Sequence, residues 1–402
     1  MKKPAPIVCI SNTTWHGAYT KSTVQLLSLL ARKREVLFVE YPFTVKDVVM
    51  TWLGRQQAPV KRMLGMEPRM QPIRTAYDTT VQHLVVPPVL PVDFISVDAI
   101  FEAMFRVNAL RYQQAVRRAM QQLGFEHAVV ITAYNPFYGL PMIGKLDEQL
   151  NIYYCYDGIG TRRHGKRIFE RDRRFSEAVD AIVTSSDFIR QEKLPRNPAT
   201  YTIKNGVDYE LFRPHAKQGL RGYGGRPKVG YLGSMDHRFD IDTVEYAVKA
   251  LPEYEFEFVG SLRNEAVRGR LQPYPNTRFR PPVRPDEVPA LMADCEVGII
   301  PYLVNDINRS IYPLKINEYL AVGVPVVMTA FAELPEFEEH AWQVDSPKAF
   351  AAALRAAITT DSSDKIQARI AFAQQNSWPA KAEALDQLLM QLCEAGSKTA
   401  MT

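Results

Sequence analysis

Residues 310–327 read SIYPLKINEYLAVGVPVV, and this stretch predicts a turn, a short helix and a buried strand in succession. A Tyr-Pro pair favours a tight turn into the helix, which carries Lys315 and Glu318. A glycine and a proline then end the helix before the apolar run 324–328. The same pattern is typical of any helix and strand in an α/β core, so that plainer interpretation stays open.

The start of this helix suits a phosphate group. A helix that begins at a tight turn presents unpaired N–H groups and the positive end of its dipole. Lys315 adds a positive charge in the first turn, and Glu318 lies three residues further along the same face. A carboxylate at that place can accept hydrogen bonds from a ribose diol. The chemistry of the stretch therefore favours a phosphorylated nucleoside.

Length and composition favour a globular protein of two domains. The 402 residues suit two domains of ordinary size, and 46% hydrophobic residues supply ample core material. A formal net charge of +5 favours anionic ligands or an anionic lipid surface but is too small to indicate nucleic acid. The cysteines show no metal-ligand spacing. With no signal peptide or membrane-length apolar run recognised, we expect a cytoplasmic protein, or one peripheral on the inner face of the cell membrane.

Short apolar runs alternate with helical segments along both halves of the chain. In the first half we expect strands at 7–10, 36–39, 128–132, 152–155, 181–184 and 201–203. After a polar stretch at 208–225, strands are expected at 229–232, 255–259, 297–300 and 324–328. Two successive series of this kind predict two open parallel sheets rather than one barrel. Ligands bind such sheets beyond the carboxyl ends of the strands.

Five stretches carry recognisable motifs in a fixed order. They read IKNGVD at 203–208, VGYLGS at 229–234, FVG at 258–260, VPALMADCEVGIIP at 288–301 and EYLAVGVPVV at 318–327. In this order they resemble the GT-B glycosyltransferases of glycosyltransferase family 4, including the bacterial teichuronic acid glycosyltransferases. The agreement of all five stretches, rather than any single one, carries the resemblance.

The resemblance implies an α/β protein of the GT-B fold, with two Rossmann-like domains whose open parallel sheets face a central cleft. We expect an acceptor-binding domain at 1–212, a nucleotide-sugar-binding domain at 213–375 and a last helix, 376–402, that crosses back to the first domain. The implied activity is transfer of a hexose-type sugar from a nucleotide diphosphate sugar to a polysaccharide, glycolipid or other glycan precursor. A nucleotide-sugar epimerase or hydrolase of the same fold, or a degenerate sugar-nucleotide-binding subunit without catalysis, stays as an alternative.

The resemblance also implies where the donor binds. Glu318 matches the glutamate that binds ribose in the family, whereas Ser310 stands where the family has a glutamate that touches the donor sugar. This chain could contact the donor sugar through Asn308 or Arg309 instead. Whether transfer retains or inverts the configuration of the sugar stays open. The expected nucleotide-sugar-binding residues are Gly233, Ser234, Val283, Ser310, Tyr312, Pro313, Leu314, Lys315 and Glu318.

Positive side chains are expected to neutralise the departing diphosphate. Lys315 belongs to the helix start, and Arg238 could bind a phosphate through two parallel hydrogen bonds, although a solvated arginine explains it equally. Gly233 follows a strand end where glycine permits close approach to a diphosphate, although a plain turn would also use it. Because these groups supply positive charge, we expect no metal and no other cofactor.

The loop after the first strand is expected on the acceptor side, and it comprises Thr14, Trp15, His16 and Gly17. A surface loop with one aromatic residue is the alternative. Asp157 follows the strand at 152–155 and could act as general base for the acceptor hydroxyl, which would give inversion. It could equally bond its own loop backbone, and the leaving diphosphate would then assist on the same face with retention.

Two basic segments favour a lipid-linked acceptor. Residues 52–70 combine Trp, Met and Leu with Lys and Arg, as an interfacial segment does, although a flap packed on the core explains them as well. A second cluster suits a lipid diphosphate or a solvated loop, and it contains Arg162, Arg163, His164, Lys166 and Arg167. The expected partners are a nucleotide-sugar donor, a glycan or lipid-linked acceptor and an anionic membrane, with no nucleic acid.

Overall fold

The computed structural model describes residues 4–17, 21–159, 166–220 and 225–399, with side chains to residue 395. Contacts divide the chain into two compact units. The first comprises Met1–Lys204 and Ala382–Thr402, and the second comprises Asn205–Lys381. The chain thus leaves the first unit once and returns to it in its last helix.

The first unit contains an eight-stranded sheet. Its strands are β1 (Ile7–Ser11), β2 (Val36–Val39), β3 (Met70–Arg74), β4 (Thr80–Leu84), β5 (Ala128–Ala133), β6 (Glu148–Cys155), β7 (Ala181–Thr184) and β8 (Thr200–Thr202). Its helices are α1 (Ser22–Leu30), α2 (Val45–Trp52), α3 (Val60–Met63), α4 (Asp98–Leu123), α5 (Pro136–Gly139), α6 (Arg167–Ala178) and α7 (Asp187–Lys193).

The strand order in this sheet is β3-β4-β2-β1-β5-β6-β7-β8, and the β3/β4 pair is antiparallel. β1, β2, β5 and β7 are fully buried apolar runs, as central strands of a parallel sheet are. β3 and β4 were not predicted, because they are half polar and because Pro72 interrupts β3. Proline is tolerated there since β3 is the edge strand.

The second unit contains a six-stranded parallel sheet in the order β11-β10-β9-β12-β13-β14. Its strands are β9 (Lys228–Leu232), β10 (Glu255–Val259), β11 (Thr277–Arg280), β12 (Val297–Ile300), β13 (Val326–Thr329) and β14 (Ala341–Val344). Its helices are α8 (Tyr209–Phe212), α9 (Ile241–Ala250), α10 (Glu265–Leu271), α11 (Val288–Ala293), α12 (Asp306–Arg309), α13 (Leu314–Ala321), α14 (Pro347–Thr359) and α15 (Ser363–Gln375). The last helix, α16 (Trp378–Thr399), begins in this unit and ends in the first.

The predicted fold class is confirmed, since each unit is built on an open sheet of mainly parallel strands. The core of the second unit begins earlier than the predicted boundary at residue 212, because Val207 and Phe212 are both buried in it. Gly206 explains part of the motif at 203–208: a Cβ there would lie 2.8 Å from the backbone nitrogen of Trp378. Only glycine allows these two backbone segments to pair so closely.

The last helix is anchored within the first unit by a buried ion pair. Arg34 Nε lies 2.6 Å from Asp386 Oδ1, and both side chains are almost fully buried. Leu385 and Leu389 of the same helix are buried as well. Across the described ranges, no helix combines the length and apolar composition that a membrane span needs.

Candidate functional site

Two glycines follow the ends of β9 and β10. Gly233 has φ +146° and Gly260 has φ +143°, a region that L side chains rarely adopt. A Cβ on Gly260 would lie 2.1 Å from the carbonyl oxygen of Gly233, and the Gly233 N–H donates to the Val259 carbonyl at 2.8 Å. Both positions therefore require glycine, and the loop after β9 presents bare backbone.

Lys315 lies directly against this loop. Its Nζ donates to the hydroxyls of Tyr231 at 3.3 Å and Tyr302 at 3.2 Å, and it lies 4.6 Å from the centre of the Tyr231 ring. A Cβ on Gly233 would come within 2.3 Å of the same Nζ. Burial lowers the pKa of the ammonium, but the two tyrosines outweigh burial and leave the pKa above its ordinary value. Lys315 is therefore charged at neutral pH.

Helix α13 is fixed on the sheet by Tyr319. Its hydroxyl donates to the Gly230 carbonyl at 2.8 Å and accepts the Leu232 N–H at 3.2 Å. A Cβ on Gly298 would lie 2.6 Å from the Tyr319 ring, so glycine makes room for it. The helix starts at Leu314 after Pro313, with no side-chain cap on its first N–H groups. The structure thus brings the bare loop, the helix start and the Lys315 ammonium together.

Glu318 lies one turn along α13 from this start. Its carboxyl group is half-buried, and burial raises its pKa to about 7 although the nearby Lys315 charge lowers it. No hydrogen bond or ion pair within the described part of the chain engages this carboxylate. A carboxylate that loses water without gaining a partner is costly to keep charged, and such groups cluster at functional sites.

Arg238 is oriented by a neighbouring carboxylate. Its Nε and Nη2 donate to Asp236 Oδ1 at 3.0 Å and Oδ2 at 2.7 Å, and its guanidinium lies 5.4 Å from the Tyr302 ring centre. Burial raises the pKa of Asp236, but the hydrogen bonds from Arg238 outweigh it and hold that pKa below its ordinary value. The arginine is therefore not simply solvated, and its bidentate face is occupied by Asp236.

Ser310 and Tyr312 are more deeply placed than Lys315. Ser310 is buried, and its Oγ donates to the Ile307 carbonyl at 2.8 Å. Tyr312 is also buried, and its hydroxyl accepts a hydrogen bond from Asn317 at 3.4 Å. Their roles in ligand binding stay predictions.

Ser234 and Val283 complete the predicted donor residues. Ser234 is half-buried beside Gly233, and its carbonyl accepts the Tyr231 hydroxyl at 2.8 Å. Val283 is half-buried and packs against the core of the second unit. The role of both residues in donor binding stays a prediction.

Tyr231 and Tyr302 were missed by the sequence argument. Tyr231 lies in β9, and Tyr302 follows β12, so they are far apart in sequence and meet only through Lys315. The sequence offered one signal for them, a tyrosine near the end of each of two predicted strands. It was too weak to separate these residues from the many other core tyrosines.

One Asp-x-Asp sequence, Asp240-Ile241-Asp242, has a spacing that could hold a divalent ion. Asp240 caps α9, with Oδ1 accepting the Thr243 N–H at 3.0 Å and Oδ2 accepting its hydroxyl at 2.7 Å. Asp242 pairs with Arg270 at 2.6 Å. Both carboxylates already have partners, and the described residues contain no cluster of three metal-ligating side chains.

The predicted acceptor-side loop in the first unit is held by Lys21 and Glu40. Lys21 Nζ donates to Thr14 Oγ1 and to the His16 carbonyl, both at 2.9 Å. The buried Glu40 carboxylate accepts the Trp15 N–H at 3.2 Å. Two charged groups thus hold the backbone of this loop, Gly17 lies exposed at its end, and its role on the acceptor side stays a prediction.

Glu40 belongs to a larger buried network. Its carboxylate contacts His83 Nε2, and His83 Nδ1 lies 3.0 Å from Arg62 Nη1. Arg62 also donates to the carbonyls of His83 and Arg69, both at 2.7 Å. None of Glu40, His83 and Arg62 was predicted, because nothing in their local sequence indicates that they are neighbours.

Asp157 is exposed, and its Oδ1 accepts the Gly158 N–H at 2.9 Å. This contact is the local loop bond of the alternative interpretation, and the role of general base stays a prediction.

Of the basic cluster, Arg162, Arg163 and His164 lie outside the described residues. Arg167 Nη1 and Nη2 bond the carbonyls of residues 95 and 96, both at 2.8 Å, so it holds another loop.

The first unit has a cavity of about 50 Å³ beyond the carboxyl ends of β1, β2 and β5. Its aromatic lining consists of Tyr41, Phe101, Phe105, Phe137 and Tyr138. Its polar lining consists of Asn12, Thr44, Asp93 and Asn135. Asn108 holds one wall by bonding both backbone groups of Leu90, at 2.8 and 2.9 Å. Aromatic faces with a few polar groups are typical of a small-ligand pocket.

A known protein family matches part of the second unit. The family model for glycosyl transferases group 1 matches residues 226–360. A Bacillus subtilis (strain 168) protein named as a teichuronic acid biosynthesis glycosyltransferase, TuaH, is 28% identical over 217 residues. That alignment covers 48% of this chain and 54% of the relative, so the chain spans about half the length of the curated relative that it matches.

Solved structures match over almost the whole chain. Sucrose-phosphate synthase from Thermosynechococcus elongatus aligns with a TM-score of 0.69 and 18% identity, covering 98% of this chain and 100% of that one. The E. coli structure titled as trehalose-6-phosphate bound with UDP-2-fluoro glucose aligns with a TM-score of 0.67 and 11% identity, covering 96% and 99%. The predicted resemblance is thereby confirmed: the chain has the GT-B fold, and residues 226–360 in its second unit match the family model for glycosyl transferases group 1.

Proposed function

We propose that the protein is a glycosyltransferase that moves a sugar from a nucleotide diphosphate sugar to a polysaccharide, glycolipid or other glycan precursor. The observation that carries the proposal is the position of Lys315. Its ammonium lies at the uncapped start of α13 and against the bare Gly233 loop, inside the group 1 domain. The E. coli structure of the same fold, bound with UDP-2-fluoro glucose, supports a nucleotide sugar as donor.

The donor would be held by complementary charges and hydrogen bonds. The backbone at Gly233, the first N–H groups of α13 and Lys315 would bind the diphosphate, and Glu318 would accept from the ribose diol. Transfer breaks the bond between the anomeric carbon and the diphosphate and forms one to an acceptor oxygen. The ammonium and the helix start stabilise the negative charge that grows on the leaving diphosphate. Since they supply that charge, we propose that no metal ion is required.

The acceptor would be bound by the first unit. The aromatic cavity beyond the ends of β1, β2 and β5 could seat a small polar group of the acceptor. The acceptor proton would pass to Asp157 in an inverting reaction or to the leaving diphosphate in a retaining one. We further propose that the acceptor is lipid-linked and that the protein meets it at an anionic membrane.

Calorimetry against uridine, guanosine, adenosine and thymidine diphosphates tests the donor site. We expect heat of binding with at least one of them, and no heat beyond dilution with any would contradict the proposal. Mass spectrometry after incubation with pooled nucleotide sugars then separates the alternatives. Transfer to added acceptor supports a transferase, and slow release of nucleotide without acceptor supports a transferase or a hydrolase. An isomeric donor indicates an epimerase. Tight binding with no turnover indicates a non-catalytic subunit.

The affinity for the nucleotide sugar should depend on the ionisation of Glu318. Burial raises the pKa of this carboxyl group to about 7. Only its charged form can accept both diol hydrogens, so the affinity should fall as the pH decreases from 8 to 6, by up to about tenfold. A sugar-linked diphosphate does not titrate in this range, which makes it the right probe.

The matched variants for this prediction are Glu318→Gln and Glu318→Ala. Gln should flatten the pH dependence, and Ala should weaken binding at pH 8 by ~1–3 kcal/mol. The raised pKa of Glu318 also affects the free energy of unfolding. It stabilises the fold at pH values below the ordinary pKa of a glutamate, and this contribution is lost as the pH rises through about 7. An unchanged pH dependence in the Gln variant would remove Glu318 from the ribose site.

A further inference from the structure

Helix α2 directs an apolar stripe towards solvent. Val45, Val49, Trp52 and the adjoining Leu53 follow the spacing i, i+4, i+7 and i+8, which places them on one helical face. They are exposed to 43%, 45%, 70% and 61% respectively. Val48 is the buried residue of the helix. An amphipathic helix normally buries its stripe, so this inverted arrangement requires another explanation.

Two more apolar side chains extend the stripe. Val48 of α2 and Met63 of α3 share a small core, so the two helices pack in one corner of the first unit. Leu64 and Met66, directly after α3, are 42% and 74% exposed. We name this surface the apolar corner, and it comprises Val45, Val49, Trp52, Leu53, Leu64 and Met66.

The apolar corner adjoins the aromatic cavity. Thr44, the cap of α2, lines that cavity together with Asp93, and Val45 donates its N–H to the Val89 carbonyl at 2.9 Å. Phe94, directly after Asp93, is 78% exposed. Of the nineteen large exposed hydrophobic side chains in the described ranges, nine lie at 45–66 and 94–100. Such clustering marks an interaction surface rather than scattered surface residues.

The charge around the apolar corner is positive. Residues 44–70 contain five basic side chains against two acidic ones, and Lys46, Arg55 and Lys61 are exposed. Asp47 is occupied by the capping box of α2 and by Gln56 Nε2 at 2.9 Å. Positive charge repels a second copy of the same corner and attracts an anionic lipid surface.

We propose that the apolar corner inserts into the interfacial layer of a bilayer that contains anionic phospholipid. Trp52, Leu53, Leu64 and Met66 enter the boundary between head groups and acyl chains, and the exposed bases bind the lipid phosphates. This inference rests on the proposed function, because the bilayer is where the protein would meet a lipid-linked acceptor. A polar head group in the aromatic cavity would then keep its lipid tail in the adjoining bilayer.

Vesicle flotation tests this insertion. With vesicles of equal phosphatidylcholine and phosphatidylglycerol at low salt, the protein should float, and with phosphatidylcholine alone it should bind at least about tenfold more weakly. Trp52→Ser combined with Leu53→Ser should reduce partitioning by at least about tenfold. Lys46→Glu combined with Arg55→Glu should reduce it similarly and weaken its salt dependence. The matched control is Val107→Ser with Leu110→Ser, two exposed apolar residues of α4, which should float like the parent.

Tryptophan fluorescence gives a second readout that needs no loss-of-binding variant. Trp15 and Trp378 are buried and Trp342 is half-buried, so insertion of Trp52 should shift the emission to the blue. Trp52→Phe should abolish the shift while flotation persists. Protein that stays below the vesicles, unchanged partitioning of the serine pair, or self-association through the corner in sedimentation would overturn the proposal. Nucleotide heats measured without vesicles report separately on the proposed function.

Discussion

Replacing Lys315 by methionine should reduce turnover of the nucleotide sugar by about 10²–10³-fold, the loss typical when a group that stabilises a developing oxyanion is removed. Methionine keeps an unbranched apolar stem against the rings of Tyr231 and Tyr302, so the fold should survive. The ammonium donates to two tyrosine hydroxyls and forms no ion pair with any described residue. It can therefore move to a diphosphate without breaking an ion pair.

The control for this variant is Lys249→Met. Lys249 lies on α9 of the same unit, is 56% exposed and pairs with Glu245 at 3.0 Å. Its loss should change turnover by less than about twofold, since exposed pairs contribute little. Steady-state kinetics with the donor identified by calorimetry provide the measurement. Equal turnover in the Lys315 and Lys249 variants would exclude the proposed role of Lys315.

Replacing Asp386 by alanine should destabilise the first unit by about 3–5 kcal/mol, because it leaves Arg34 charged and buried without its carboxylate. The two side chains are 4% and 2% exposed, and their atoms are 2.6 Å apart. Among the described residues, the guanidinium of Arg34 then keeps a hydrogen bond to the Ala5 carbonyl at 3.1 Å. Urea unfolding, followed through the transition of the first unit, measures the loss.

Glu383 provides the comparison on the same helix. It pairs with Lys33 at 2.6 Å, but both side chains are about half exposed, at 47% and 48%. Glu383→Ala should therefore destabilise the first unit far less than Asp386→Ala does, because exposed ion pairs contribute little. If both variants lost the same amount, the Arg34 pair would not be the anchor of α16 in the first unit.

Much of the fold follows from local pattern. Strands β1, β9 and β12 are short apolar runs bounded by polar loops, and their partners along the sheet share that property. β3 is the edge strand and β4 lies next to it, and the mixed polar and apolar composition of both resembles a loop. Edge strands are thus harder to predict than central ones because burial, rather than propensity, produces the pattern.

The geometry of the candidate donor site was predictable where the backbone decides it. Gly233 has no room for a side chain, and a helix start after proline is visible in the sequence as a motif. The tyrosines around Lys315 could not be predicted in the same way, because their meeting depends on strand order and not on local sequence. The same holds for the contact between Glu40, which directly follows β2, and His83 of the neighbouring strand β4.

The return of α16 to the first unit has a consequence for synthesis on the ribosome. Domains generally fold as they emerge, the N-terminal one first. Here Arg34 must remain without its carboxylate partner until Asp386 has been translated, after the whole of Asn205–Lys381. The second unit is continuous and can complete its core earlier. The first unit, although most of it is synthesised first, should therefore be the last to reach its final stability. In nascent chains halted before α16, the first unit should remain sensitive to proteases.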